Sequence, residues 1–177
     1  MIAQARNKIV VGVSSCLLGQ PVRYDGGHKY HAHINRHLAN HFEFRPFCPE
    51  VAIGLGTPRA PVRLVMTATG VQVLGIQNPS CNITQELNRY GNTVASGFDD
   101  VYGYIFKSRS PSCGLQDVKI CDETGKPLEP EGMGVFAAAI RSACPELPVV
   151  EECHLNTATR REEFIARVED YRARRCR

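Results

Sequence analysis

The chain has 177 residues, 43% of them hydrophobic and 22% charged, with no tryptophan. That is enough apolar chain for a sizeable core, and it excludes a disordered or collagen-like polymer. Lys and Arg number 21 against 18 Asp and Glu, a net charge of +3, too small to announce a DNA or RNA binder.

No stretch approaches the roughly 20 apolar residues of a membrane span. The opening MIAQARNKIVVGVSSC has a short apolar run and no small-residue cleavage site, so no leader is predicted. A single cytoplasmic domain over residues 1–177, without membrane attachment, is expected.

In chain order, KIVVGV at 8–13 reads as a β-branched strand running into Ser14-Ser15-Cys16. Residues 31–41 place Ile34 and Leu38 one turn apart and predict a helix; the same spacing would put His33, His37 and His41 on one face. FEFRPF at 42–47 reads as a buried strand delivering Cys48, Pro49 and Glu50. Short strands are candidates at 63–66 and 71–74. A helix opens at Asn82 with Gln85 in the capping-box position and Ile83, Leu87, Tyr90 and Val94 on one side.

DVYGYIF at 100–106 is the next strand, followed by Lys107-Ser108-Arg109-Ser110-Pro111-Ser112-Cys113-Gly114. CDETGKPLEPEGMG at 121–134 is turn-rich and reads as a surface excursion. An alanine-rich helix over 135–144, a strand at 147–150 and a helix over about 159–175, with Glu162 three residues after Thr159, complete the chain. Strands alternating with helices predict an α/β sandwich, a mostly parallel sheet flanked by helices in a Rossmann-like, three-layer arrangement.

Eight cysteines stand at 16, 48, 81, 113, 121, 144, 153 and 176, with no CxxC pair among them. In a reducing compartment the options are metal binding, catalysis or plain burial. Cys16, Cys48 and Cys113 each follow the carboxyl end of a predicted strand, the edge where open α/β sheets bind ligands. Three thiols suit a metal site with one open position, whereas a closed structural site takes four ligands. Glu50 is then a candidate proton carrier at the same edge, and Ser110 and Ser112 offer hydroxyls beside Cys113. The bland alternatives are buried cysteines, serine-rich turns, and a carboxylate favoured at a helix N-terminus.

The segments VGVSSCLLGQPVRYDGGHK, RPFCPEVAIGLGTPRAPVRL, VYGYIFKSRSPSCGLQDVKI and GMGVFAAAI resemble, in this order, the DUF523 family, which includes TudS-type thiouracil desulfidases. The similarity runs from about Ile9 to Ile140. It implies a [4Fe–4S] cluster held by Cys16, Cys48 and Cys113, with one iron open. The activity it implies is non-redox removal of sulfur from a thiolated pyrimidine, 2-thiouracil or a relative, giving uracil and sulfide. Glu50 would activate water, and Ser110 matches the family serine near the third cysteine.

Tyr24, Asp25, Arg59, Lys107 and Ser112 are weaker candidates for contacting the substrate or tuning the cluster, against solvated loop positions. The expected partner is a small thiolated nucleobase rather than tRNA. The arginines at 160–177 interleave with Glu162, Glu163, Glu169 and Asp170 and read as a salt-bridged surface more than an RNA stripe. The histidine segment likewise reads as a solvated helix. Two other functions remain open from the residues alone: a metal-free hydrolase using Cys48 or Cys113 beside Glu50, and a cluster-carrying sensor without turnover.

Overall fold

Alternating strands and helices run from Ile9–Ser14 (β1) through Ala32–Arg36 (α1), Phe42–Phe47 (β2), Pro49–Ala52 (α2), Val62–Thr67 (β3), Gly70–Gly75 (β4) and Thr84–Ser96 (α3) to Val101–Phe106 (β5). Val118–Cys121 (β6), Pro127–Gly132 (β7), Val135–Ala143 (α4), Val149–Glu151 (β8) and Ala158–Arg175 (α5) follow. The computed structural model describes residues 8–176. Residues 1–7, where the leader was sought, and Arg177 of the arginine-rich tail lie outside the described residues.

β2, β1, β5 and β8 form one sheet in that order, every pair parallel. β5 shows why helices cover both faces, since successive side chains of a strand point opposite ways. Tyr104 and Phe106 pack with Phe136, Ala137 and Ile140 of α4, while Ile105 packs with Phe164 and Val168 of α5 and with Ile34 of α1. The protein is therefore α/β, with the parallel sheet sandwiched between helical layers. Gly12 on β1 is dictated by this core: a Cβ there would lie 2.4 Å from the Tyr104 ring.

The second sheet was not foreseen. β4, β3, β6 and β7 form a mixed sheet in which β3–β4 and β6–β7 are antiparallel and β3–β6 parallel. Its apolar side, with Leu64, Val73, Val118 and Ile120, packs on Ile83 and Leu87 at the start of α3. Both candidates near 63–66 and 71–74 are strands of this sheet. The turn-rich stretch 121–134 contains β7, whose PLEPEG sequence disguises it; β7 is an edge strand, the place where a sheet tolerates proline.

Other local expectations shift for physical reasons. β2 is an edge strand rather than a buried one, with only Phe42 fully covered and Pro46 within it. The 31–41 helix stops at Arg36 and resumes as a single 3-10 turn at Leu38–Asn40, so His33, His37 and His41 do not share one helical face. The capping residue of α5 is Thr157, whose hydroxyl accepts from Arg160 N at 3.3 Å. At α3 the side chain of Asn82 accepts from Thr84 N and Thr84 Oγ1 in place of a capping box with Gln85.

Candidate active site

β1 sits between β2 and β5, so the chain departs from it to opposite sides, and a crevice opens at the carboxyl ends of these strands. The registers bring those ends level: Ser14 lies opposite Phe47 and Val13 opposite Ile105. Three cysteines follow from three strands. Cys16 is buried in a 3-10 turn at Ser15–Leu18, Cys48 is the N-cap of α2, and Cys113 is buried in the loop after β5. All three line one cleft of about 420 Å³, with Glu50, Arg59, Lys107 and Ser110.

The Cys113 loop is held from behind by the first turn of α4. Val135 N donates to Pro111 O at 3.1 Å, Ala137 N to Ser112 O at 3.1 Å, and Gly134 N to Gly114 O at 2.7 Å. These helix-start donors would otherwise lack partners. Gly134 allows the approach, since a Cβ there would sit 2.5 Å from the Ser112 carbonyl carbon. Ser110 Oγ accepts from Cys113 N at 3.1 Å and Ser112 N at 3.3 Å, closing the turn from its other side.

Burial pushes the Cys16 thiol up to about 11, against the pull of Lys107 and Arg23. Burial also raises Cys48, against backbone N–H groups of Val51 and Glu50 and the charge of Arg59. Cys113 stands well above the ordinary thiol range through burial and then the charges of Glu50, Cys16 and Cys48, with the Ser14 hydroxyl opposing. Nucleophilic cysteines need the opposite environment, and among the described residues no histidine lines the cleft to serve as a base. Both facts weigh against the metal-free hydrolase.

Three thiols in one cleft suit a metal centre with one open position, whereas a closed structural site takes four ligands. Behind them the Tyr104 hydroxyl is fully buried without a hydrogen-bond partner. Burial pushes it well above the ordinary tyrosine range, and Cys113, Tyr90, Cys48 and Cys16 act in the same direction. It is an orphaned donor packed in the same core cluster as Cys113.

Glu50 has both oxygens engaged. Ser112 Oγ donates to Oε1 at 2.7 Å, and Arg59 Nε and Nη2 each reach Oε2 at 2.7 Å. Arg59 is not a solvated loop residue: its side chain is 7% exposed, and Nη1 donates to Val22 O and Gly56 O. Of the two candidate serines, Ser112 touches Glu50, while Ser110 lines the cleft and caps the loop. Tyr24 borders the cleft with its ring 5.2 Å from the Arg23 guanidinium. Asp25 stands outside the lining in an exposed turn, accepting from Gly27 N and pairing with Arg23 at 3.5 Å.

Lys107 brings in a residue the sequence did not single out. Its Nζ lies 2.6 Å from Glu152 Oε1, and Glu152 also accepts from Ser108 N at 2.7 Å and Ser108 Oγ at 2.8 Å. No spacing signals a contact across 45 residues; it follows from β8 pairing with β5, with Glu151 opposite Phe106. Arg23 and Arg109 also line the cleft unforeseen, Arg109 with a positive φ of 56°.

A sequence model of the family described as 2-thiouracil desulfurase matches residues 11–152. The chain is 34% identical over 151 residues to the uncharacterized protein YbbK of Bacillus subtilis (strain 168), covering 81% of this chain and 96% of that one. Among solved structures it is similar to a [4Fe-4S]-dependent thiouracil desulfidase, TudS (DUF523Vcz). The TM-score is 0.61 at 31% identity, over 84% of this chain and 93% of the other.

Proposed function

The chain belongs to the 2-thiouracil desulfurase family, and we propose that it is a desulfidase that hydrolyses a small thiolated pyrimidine, 2-thiouracil or a relative, to uracil and sulfide. The observation that carries this reading is the meeting of three thiols from three strand ends, two buried and one half-buried, with one doubly anchored carboxylate, all in one cleft. Held by Cys16, Cys48 and Cys113, a [4Fe–4S] cluster with one open iron would supply a Lewis acid for the thiocarbonyl sulfur.

Glu50 is the base. Oε1 takes one bond from Ser112 and retains a lone pair. A water there gives a proton to that oxygen as its own oxygen attacks the thiocarbonyl carbon. The carbon–oxygen bond forms as the thiocarbonyl opens, and the proton passes from Glu50 to the sulfur. The carbon–sulfur bond then breaks to release HS⁻ while the remaining hydroxyl proton goes to Glu50 and on to solvent, leaving the carbonyl of uracil. No electron is gained or lost. Arg59 keeps its hold on Oε2 throughout and so fixes the direction of Oε1. Lys107 and Arg23 offset charge at Cys16 and Arg59 at Cys48, and Ser110 keeps the Cys113 turn closed.

A cleft of about 420 Å³ suits a single base. The arginine-rich α5 spends charge on itself through Arg160–Glu163 and Arg174–Asp170, which favours a free base over tRNA as substrate. Eight free cysteines suit a reducing, cytoplasmic setting, with the whole chain acting as one domain.

The test is incubation of anaerobically loaded protein with 2-thiouracil in ¹⁸O-water. Labelled uracil and equimolar sulfide are expected. Iron-loaded protein that releases no sulfide would favour the sensor; activity in iron-free protein that is lost to thiol alkylation would favour the cysteine nucleophile.

A further inference from the structure

Away from the cleft, Glu151, Cys153 and His154 hold a carboxylate oxygen, a thiol and a ring nitrogen within 4.8 Å of one another. β8 ends at Glu151, and residues 152–155 wind into one 3-10 turn. That turn leaves Glu151 buried while Cys153 and His154 are exposed. Asn156 Nδ2 fixes the turn by donating to Cys153 O at 2.9 Å.

The carboxylate is oriented from behind. Glu151 Oε1 accepts from Leu115 N at 2.7 Å and Gln116 N at 3.4 Å. Oε2 has the Cys153 thiol at 3.9 Å. Carboxylates that bind metals are supported in this way, one oxygen tied to the protein and the other free for the ion.

Ligand chemistry selects the ion. Calcium and magnesium ask for oxygen alone, whereas sulfur with nitrogen and one carboxylate suits zinc and its neighbours. Three protein ligands leave a fourth position for water or another small ligand. Glu151 and His154 border a space of about 330 Å³ edged by Arg160, Glu163 and Arg167.

We propose that Glu151, Cys153 and His154 form a second metal site, separate from the cleft, for a divalent ion of the zinc class with one exchangeable ligand. Binding displaces the thiol proton to solvent. Carboxylate, thiolate and neutral imidazole then balance the ion's two charges. Because Glu151 also holds Leu115 and Gln116, two and three residues past Cys113, the ion would brace the loop of the third cleft cysteine.

Cobalt(II) is the probe. It is added to the iron-loaded chain, and also to a Cys16→Ser/Cys48→Ser/Cys113→Ser chain in which cleft thiols cannot contribute. One cobalt per chain is expected in each, with thiolate charge-transfer absorption that disappears in Cys153→Ser. Affinity should fall about tenfold or more in Glu151→Gln and His154→Ala. If the triple variant does not fold, the iron-loaded chain decides alone, because Cys153 and His154 are exposed and their variants leave the core intact. No cobalt uptake, or uptake indifferent to Cys153→Ser, overturns the site. Cobalt taken by an unloaded cleft would be a second ion that persists in Cys153→Ser while the first is lost, so a failure of the cleft reading is told apart from a failure here.

Discussion

Ser112 Oγ donates a 2.7 Å hydrogen bond to Glu50 Oε1, joining the loop of Cys113 to the turn of Cys48 across 62 residues of sequence. Ser112 is fully buried, so no water can replace the bond without disturbing the loop. Glu50→Gln is expected to keep its iron and lose turnover by about 10²- to 10⁴-fold, the usual contribution of a general base. Ser112→Ala removes one charge-assisted bond, worth about 1.5–3 kcal/mol, and should lower kcat by about 10- to 100-fold with iron retained. Iron content and steady-state rates check both; a fully active Glu50→Gln removes Glu50 from the mechanism.

Tyr104 answers a different question, whether its orphaned hydroxyl awaits an acceptor in the cleft. In the metal-free chain Tyr104→Phe should be neutral or stabilising, since an unpaired buried hydroxyl costs about 1–3 kcal/mol. In the iron-loaded chain that gain should shrink and the reduction potential should move to a more negative value, as a donor to the anionic centre is lost. Denaturation of both forms and a redox titration test this; an unchanged potential means that the hydroxyl finds no partner there.

Glu152 supports three donors at once, and Lys107 and Glu152 side chains are only 18% and 10% exposed. Glu152→Ala leaves the Ser108 N–H without an acceptor and the Lys107 ammonium without its counter-ion, held only by Ser108 O at 2.9 Å and Ser108 Oγ at 3.1 Å, at a cost of about 3 kcal/mol. The urea midpoint should fall accordingly. Glu152→Gln, which can still accept from Ser108, should lose less.

Gly134→Ala forces a methyl against the Ser112 carbonyl at 2.5 Å. A loss of about 1–3 kcal/mol is expected from the overpacking, together with weaker iron retention because the displaced loop carries Cys113. Gly97→Ala is the control: its nearest neighbour would be 3.6 Å away, and its stability should change by less than about 0.5 kcal/mol.

The parallel sheet was legible because β1 and β5 are apolar runs with clear ends, and their ends carry Cys16 and Cys113 on into loops. Strand order then brings Cys48 alongside. Less legible was anything that rests on pairing between distant segments. β7 contains two prolines and alternates poorly, so only its partner β6 makes it a strand. Ser110 and Ser112 are equivalent in composition, and only the direction of the turn puts Ser112 on Glu50. Arg59 looked like a solvated loop residue because nothing local shows that Glu50, Val22 and Gly56 surround it.

The central claim is that Cys16, Cys48 and Cys113 together hold an iron–sulfur cluster, and iron with acid-labile sulfide per chain after anaerobic reconstitution tests it most directly. About four of each are expected in the wild type and in Cys81→Ser and Cys176→Ser, with loss in Cys16→Ser, Cys48→Ser and Cys113→Ser taken singly. Full iron in any of those last three variants, or none in the wild type, would contradict the account.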